Sequence, residues 1–449
     1  MDPRRAAEPP EAHPARPAPP RDSGLRAFRE PRPSPALIHS LRRLNRGLVL
    51  PHLARVAEID LPPADGARLA ATLGPGQAAF LAPNHPDFLG DWLLDKEIAD
   101  RFSPLMAHWA AFDVVNAHPL ARWFWSRNNV LSTGSGSAGL DHAVRWALLG
   151  HGVLLHPEGT VAWHGERVGP LLPGIAGLAW EACRRSATAG GRTRVWIVPL
   201  LYRHRFAGDA TPGLTRELAL IERRLAFPSE ASLVLEARFA TLLARALERE
   251  RAGLEGTEAR RPIDAAETGF FPEVQALGQA VRARLERRYG SVEGEFPRVL
   301  HRLRRAIRLR AAENPEGTRQ DRGRLDAWAT WQGFTAVDYD TPTLSQEQIA
   351  ECLKRLRSAL VRGGPGDALH NLLPRPVARR VAHVRVAEPI AVDEGFDPGA
   401  DADAAQARLL TELRERMQRT LDALGAEIEP LVARWRRPNP LWTGEARRE

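Results

Sequence analysis

Between residues 76 and 205 the chain alternates short apolar runs with stretches of helical periodicity. That alternation restricts it to an α/β fold with a mainly parallel sheet flanked by helices. Gln77–Pro83, Pro104–His108, Val130–Ser132, Val153–His156 and Val195–Leu201 are predicted strands. Asp91–Arg101, Pro119–Arg127, Ala138–Leu149 and Gly174–Arg185 are the predicted helices between them. Pro173 stands where a helix accepts proline, in its first turn. After Tyr202 the rhythm changes to amphipathic helices such as Leu214–Leu225 and Ala276–Arg288. Ser345 and Gln348 form a capping box before a helix over Ile349–Val361. Strand character returns at Val381–Ala387, and a long helix runs from about Ala404 to Ile428.

The expected organisation is a core over 76–204, a large helical insertion over 205–375, and the closing strand and C-terminal helix of the core over 376–432. The Pro/Arg-rich tail 1–35 has too few large apolar residues to order itself, and 433–449 is a second, flexible tail. Residues 36–75 form an amphipathic helical lead-in. Its basic helix, Ala36–Leu50, suits either a membrane interface or packing on the domain.

Hydrophobic residues at 43% against 26% charged support a real core, and the net charge of +8 favours acidic partners. Lysine occurs only at Lys96 and Lys354, so the basic charge is almost all arginine, alternating with glutamate as on solvated helix faces. A nucleic-acid partner would rest on charge alone and is not expected. Cys183 and Cys352 lack metal-ligand spacing and read as reduced thiols of a cytoplasmic protein, with no metal site. Neither a signal peptide nor an apolar run of roughly 18 residues is present, so contact with lipid would be peripheral.

Two strand ends carry chemistry. Ala82-Pro83-Asn84-His85-Pro86-Asp87-Phe88-Leu89-Gly90-Asp91-Trp92 places a histidine beside two carboxylates, the usual composition of a neutral-pH base. His156-Pro157-Glu158-Gly159-Thr160 follows the apolar run Gly152–Leu155. Ligands of parallel α/β sheets bind beyond the carboxyl ends of the strands, where both stretches fall. Alone, each has a plain structural explanation; together they point to a site. Gly134-Ser135-Gly136-Ser137-Ala138-Gly139 matches Gly-x-Gly-x-x-Gly, with Glu158 lying 19 residues beyond Gly139. It reads either as the phosphate loop of an NAD-binding oxidoreductase or as a flexible Gly/Ser loop.

Asn84-His85 with a following aspartate, Arg127-Asn128-Asn129, Pro157-Glu158-Gly159-Thr160 and Ile197-Val198-Pro199-Leu200 occur in the order and rough spacing of the glycerolipid acyltransferase family. That family includes lysophosphatidate (1-acylglycerol-3-phosphate) and glycerol-3-phosphate acyltransferases of phospholipid biosynthesis. Ala387-Glu388-Pro389-Ile390 and the helix after it also resemble the family, so the likeness covers about residues 76–205 and 380–430. It implies a glycerol-3-phosphate acyltransferase-like fold. It also implies transfer of a fatty acyl group from acyl-CoA or acyl-carrier protein to a hydroxyl of a lysophospholipid or glycerol phosphate. The thioester is a substrate, and no cofactor is implied.

By the same resemblance His85 is the general base and an aspartate orients its ring. The family's aspartate comes five residues after the histidine, where this chain has Gly90. Asp91 is the preferred partner and Asp87 the alternative. Asn84, Glu158, Gly159 and Thr160 are implied to bind substrate. The arginine that follows Glu-Gly-Thr in the family is replaced by Val161, and Arg167 from the same loop is a candidate to serve instead. Arg127 matches a phosphate-binding arginine if Phe124–Asn129 is the aligned segment, but not if Val130–Thr133 is. The aromatic stretch from Trp109 to Trp125, with Phe112, Trp123 and Phe124, suits an acyl channel, a bilayer contact or plain core. A further alternative is a non-catalytic membrane- or partner-binding protein on an acyltransferase-like scaffold.

Overall fold

The computed structural model describes residues 28–133, 135–162, 165–191, 193–229, 231–255, 269–294, 296–311, 313–361, 370 and 373–442. Ten strands are described: β1 Val56–Asp60, β2 Gln77–Pro83, β3 Ala107–Ala110, β4 Val130–Ser132, β5 Val153–Leu154, β6 Arg194–Phe206, β7 Thr343–Leu344, β8 Arg380–Val386, β9 Ile390–Ala391 and β10 Arg437–Pro438. The main sheet runs β1-β8-β6-β2-β5-β3-β4, with β9 added beside β6.

Strand β2 explains why the sheet is parallel. Ala78 through Pro83 are all buried, so both faces of the strand are covered, as helical crossovers require. It pairs in parallel with β6 on one side and β5 on the other. The long β6 changes partners along its length: Arg194–Leu200 lies parallel to β2, and Leu200–Phe206 lies antiparallel to β8. One face packs on helices Gly136–Leu148, Gly174–Thr188 and Ala402–Val432 through Val144, Ile175, Leu178, Leu413 and Met417. The other packs on helix Leu89–Phe102 through Leu93, Leu94 and Ile98.

Helices from Thr211 to Leu360 enclose a hydrophobic cluster of their own around Phe239, Leu243, Leu303, Trp331 and Leu353. The capping box at Ser345 and Gln348 starts the last of these helices, Gln346–Leu360.

Several expectations require correction. The lead-in is not wholly helical: after helix Pro35–Leu44 and a π-helical turn Asn45–Leu53, Val56–Asp60 forms β1, an edge strand parallel to β8. Its alternating Val-Ala-Glu-Ile-Asp composition is a strand signal that the surrounding helical pattern masked. The segment expected at Pro104–His108 forms its strand later, at Ala107–Ala110. Within the expected disordered tail, residues 28–35 are docked: Arg32 and Ser34 N–H groups donate to Ser126 and Arg127 carbonyls. The expected flexible C-terminal tail contributes β10 to β7 and buries Leu441 and Asn439. Residues 1–27 and 443–449 lie outside the described residues. No described helix is long and apolar enough to cross a membrane.

Candidate active site

The site is built where helix Leu89–Phe102, which packs on one face of the sheet, begins close to the carboxyl ends of β2 and β5 and beside the second half of β6. Asp91 and Asp95, one turn apart on that helix, are separated by about 6 Å along its axis. Tyr202 and His204, two residues apart on β6, share one face of the strand and are separated by about 6.7 Å. The matched spacings let both carboxylates meet groups on β6. Asp95 accepts a hydrogen bond from the Tyr202 hydroxyl at 2.8 Å, and Asp91 Oδ1 lies 3.6 Å from His204 Nε2.

Each carboxylate also faces a histidine from a strand end. His85 Nδ1 is 3.0 Å from Asp91 Oδ2, and His156 Nε2 is 2.9 Å from Asp95 Oδ2. The His85 and His156 rings stack on each other with centroids 4.1 Å apart. Asp91 is fully buried in the first turn of its helix, a favourable place for a carboxylate. Its Oδ2 also accepts the Asp87 N–H at 2.7 Å. Asp91, rather than Asp87, is therefore the acid that touches His85. Asp87 turns away to Lys354 Nζ at 2.6 Å and Arg380 Nη1 at 2.7 Å. One extra residue before the helix is accommodated because Gly90 leaves room: a Cβ there would meet the Arg380 guanidinium and the Asp87 carboxylate.

Asn84 acts on backbone. Its amide donates to the Tyr202 carbonyl and accepts the Tyr202 N–H, tying the end of β2 to β6. At 1% exposure and with both ends of its amide engaged, it holds His85 in place rather than facing a substrate. The Glu158 carboxylate accepts the His85 N–H at 3.3 Å, and the Ala162 N–H donates to the His85 carbonyl at 2.8 Å. The Glu-Gly-Thr loop thus wraps His85. Gly159 takes φ +67°, and a Cβ there would collide with Leu172. Thr160 is half-buried in the same loop.

The electrostatics follow from this packing. Burial, reinforced by the neighbouring His156 charge, holds His85 well below the ordinary imidazole value, so the ring is neutral at neutral pH. Burial pushes Asp91 up to about 6 against the pull of His204. Burial opposes charge on His156 too, but Asp95 outweighs it and raises His156 to about 9. Burial raises Glu158 to about 7. Burial disfavours the Asp87 anion, yet Lys354 and Arg380 hold its carboxyl far below the usual range. The pair at Asp91 is therefore a neutral imidazole bonded to a buried carboxylate, and the pair at Asp95 holds an imidazolium.

His85, Asp91, Asn84, Glu158, Gly159 and Thr160 come together. Arg127 and Arg167 do not join them. Arg167 pairs with Asp338 of the helical block at 3.1 Å. Arg127 lines a separate cavity beside β4, which lies three strands from β2. Trp125, half-buried, packs edge-on against Trp92, while Trp123 is 52% exposed. Glu158 is engaged by the His85 N–H, and Gly134 of the glycine-rich stretch after β4 lies outside the described residues.

Asp95, His156, Tyr202 and His204 carry no assigned role in the sequence reading. The four-residue spacing of Asp91 and Asp95 was an available signal; the β6 partners lie more than a hundred residues away. The helical block also reaches the site, through Lys354, through Arg355 on the Ala162 carbonyl and through His301 on the Gly159 carbonyl. Fold and site together define an α/β protein with a buried histidine–carboxylate pair at the carboxyl edge of a mostly parallel sheet. No known family model matches the chain, and no curated protein matches it significantly.

Proposed function

We propose that the chain is an O-acyltransferase that moves a fatty acyl group from a thioester, acyl-CoA or acyl-carrier protein, to a lysophospholipid or glycerol phosphate hydroxyl. One observation carries the reading: His85 commits Nδ1 to a buried carboxylate at 3.0 Å, with the Glu158-Gly159-Thr160 loop folded around it. A ring held this way keeps Nε2 for a substrate proton. The acceptor hydroxyl gives its proton to His85 Nε2 as its oxygen bonds to the thioester carbonyl carbon. Asp91 stabilises the imidazolium so formed. When the tetrahedral intermediate collapses, the C–S bond breaks and the leaving sulfur takes the proton from Nε2, restoring neutral His85. No enzyme nucleophile enters this sequence.

Membrane contact fits the lead-in. Ile38 and Leu50 are buried, and Asn45 and Arg46 bond to Leu93 and Glu97 of the helix behind them. Leu44 and Leu48, at 46% and 54% exposure, stand beside exposed Arg43 as an interfacial helix requires.

The test is thiol release from acyl-CoA and from acyl-carrier protein, with glycerol-3-phosphate, lysophosphatidate and phosphate-free acceptors, in wild type and His85→Ala. Acceptor-dependent turnover that falls by about 10²-fold or more in the variant supports the assignment. Turnover that His85→Ala leaves intact removes His85 as the base. Absence of turnover with every pair rejects acyl transfer to these acceptors.

A further inference from the structure

A cavity of about 700 Å³ opens beside the edge strand β4, lined by Arg29, Arg32, Arg122 and Arg127 together with Phe112 and Trp123. Its volume is in the range of small-molecule and cofactor sites. The charge in it is unbalanced. Glu30, the acidic residue of the lining, is engaged by His142 at 3.1 Å and Arg145 at 2.9 Å. No hydrogen bond or ion pair joins any of the four guanidinium groups to another described residue. Arg122 Nε and Nη2 are buried without an acceptor, an arrangement that an anionic ligand would satisfy. Trp123, 52% exposed, offers a planar surface, whereas one face of Phe112 is already covered by the Arg308 guanidinium at 5.4 Å.

Position selects the ligand. In the order β2-β5-β3-β4 the cavity stands three strands from His85, about 14 Å at the usual strand spacing. A glycerol phosphate cannot place its phosphate there and its hydroxyl on His85. The pantetheine arm of coenzyme A has 13 bonds from sulfur to phosphorus and reaches about 15 Å at extended-chain dimensions. We infer that this cavity holds the 3′-phosphorylated adenosine diphosphate end of a coenzyme A thioester. Arginines take the phosphates in bidentate contacts and the exposed Trp123 ring stacks the adenine. The inference rests on the acyl-transfer reading and selects acyl-CoA over acyl-carrier protein as the donor.

The experiment is calorimetric titration of the full chain with adenosine 3′,5′-bisphosphate, desulfo-CoA, NADP and inorganic phosphate, in wild type, Arg122→Gln and Arg32→Gln. Arg32 is exposed, so its variant keeps the test informative if Arg122→Gln fails to fold. The expected result is saturable desulfo-CoA and bisphosphate binding, weakened about tenfold in each variant, with NADP and phosphate much weaker. The ratio of kcat/KM for acyl-CoA to that for acyl-pantetheine should fall by a similar factor in both variants. No saturable binding, equal binding in the variants, or NADP or phosphate binding as tight as desulfo-CoA overturns the inference. Turnover of acyl-carrier protein without desulfo-CoA binding overturns it while leaving the acyl-transfer reading in place. Arginine-dependent desulfo-CoA binding without turnover supports the cavity assignment and counts against the catalytic reading.

Discussion

His156→Gln removes a positive charge whose ring centroid lies 4.1 Å from that of the proposed base. With His156 raised to about 9, that charge is present throughout the working range of pH. At an effective permittivity of about 20, unit charges 4 Å apart interact by about 4 kcal/mol, or about three pKa units. His85 keeps 17% of its side-chain surface in contact with solvent, which screens part of this, so a shift of at least one unit is expected. The sign is the same for both partners. His156 disfavours protonation of His85 and lowers Asp91, so its removal raises both. The wild-type pair takes up its first proton near the Asp91 value of about 6, and the acid limb of kcat/KM should lie there. In His156→Gln that limb should move up by one unit or more, and glutamine can still donate to Asp95. The assay is kcat/KM for acyl transfer from pH 4.5 to 9. An acid limb unmoved within about 0.3 units, measured on a variant with wild-type melting, would refute the electrostatic account.

Three other perturbations test the scaffold. Gly159→Ala forces a side chain onto φ +67° and into Leu172; it should cost about 1–3 kcal/mol in urea unfolding and disrupt the loop around His85, and wild-type stability would contradict this. Glu158→Gln tests linkage: a carboxyl raised from 4.5 to about 7 on folding binds more protons in the native state, so stability falls as pH rises through that window. The stability difference between Glu158→Gln and wild type should therefore change in the variant's favour by on the order of 3 kcal/mol between pH 4 and 8, and a pH-independent difference would count against a buried, ionising Glu158. Lys354→Met breaks a buried pair at 2.6 Å between the helical block and Asp87. It should destabilise by about 3 kcal/mol, the low end of the range because Arg380 still pairs with Asp87, and Asp87→Asn in the same chain should add less than its own cost because the Lys354 contact is already gone and only the Arg380 contact remains to be lost.

What the sequence by itself determined is local. Strands buried on both faces read as continuous apolar runs, which is why β2 and β4 were legible to the residue and the alternation with helices set the α/β class. The strand-end motifs could be located for the same reason, since a turn follows wherever an apolar run stops. What only the tertiary structure decided is pairing. The sequence ranks Asp91 ahead of Asp87 as the partner of His85 but leaves both open, and what occupies Asp87 instead, Lys354 and Arg380, lies 267 residues or more away. Likewise Asp95 meets Tyr202 across 107 residues because β6 lies next to β2. Arg127 and Arg167 look like members of one site in the sequence, but strand order carries the first to the sheet edge and Asp338 draws the second away. Periodicity records which face of an element is buried, whereas strand order sets which distant side chains meet there.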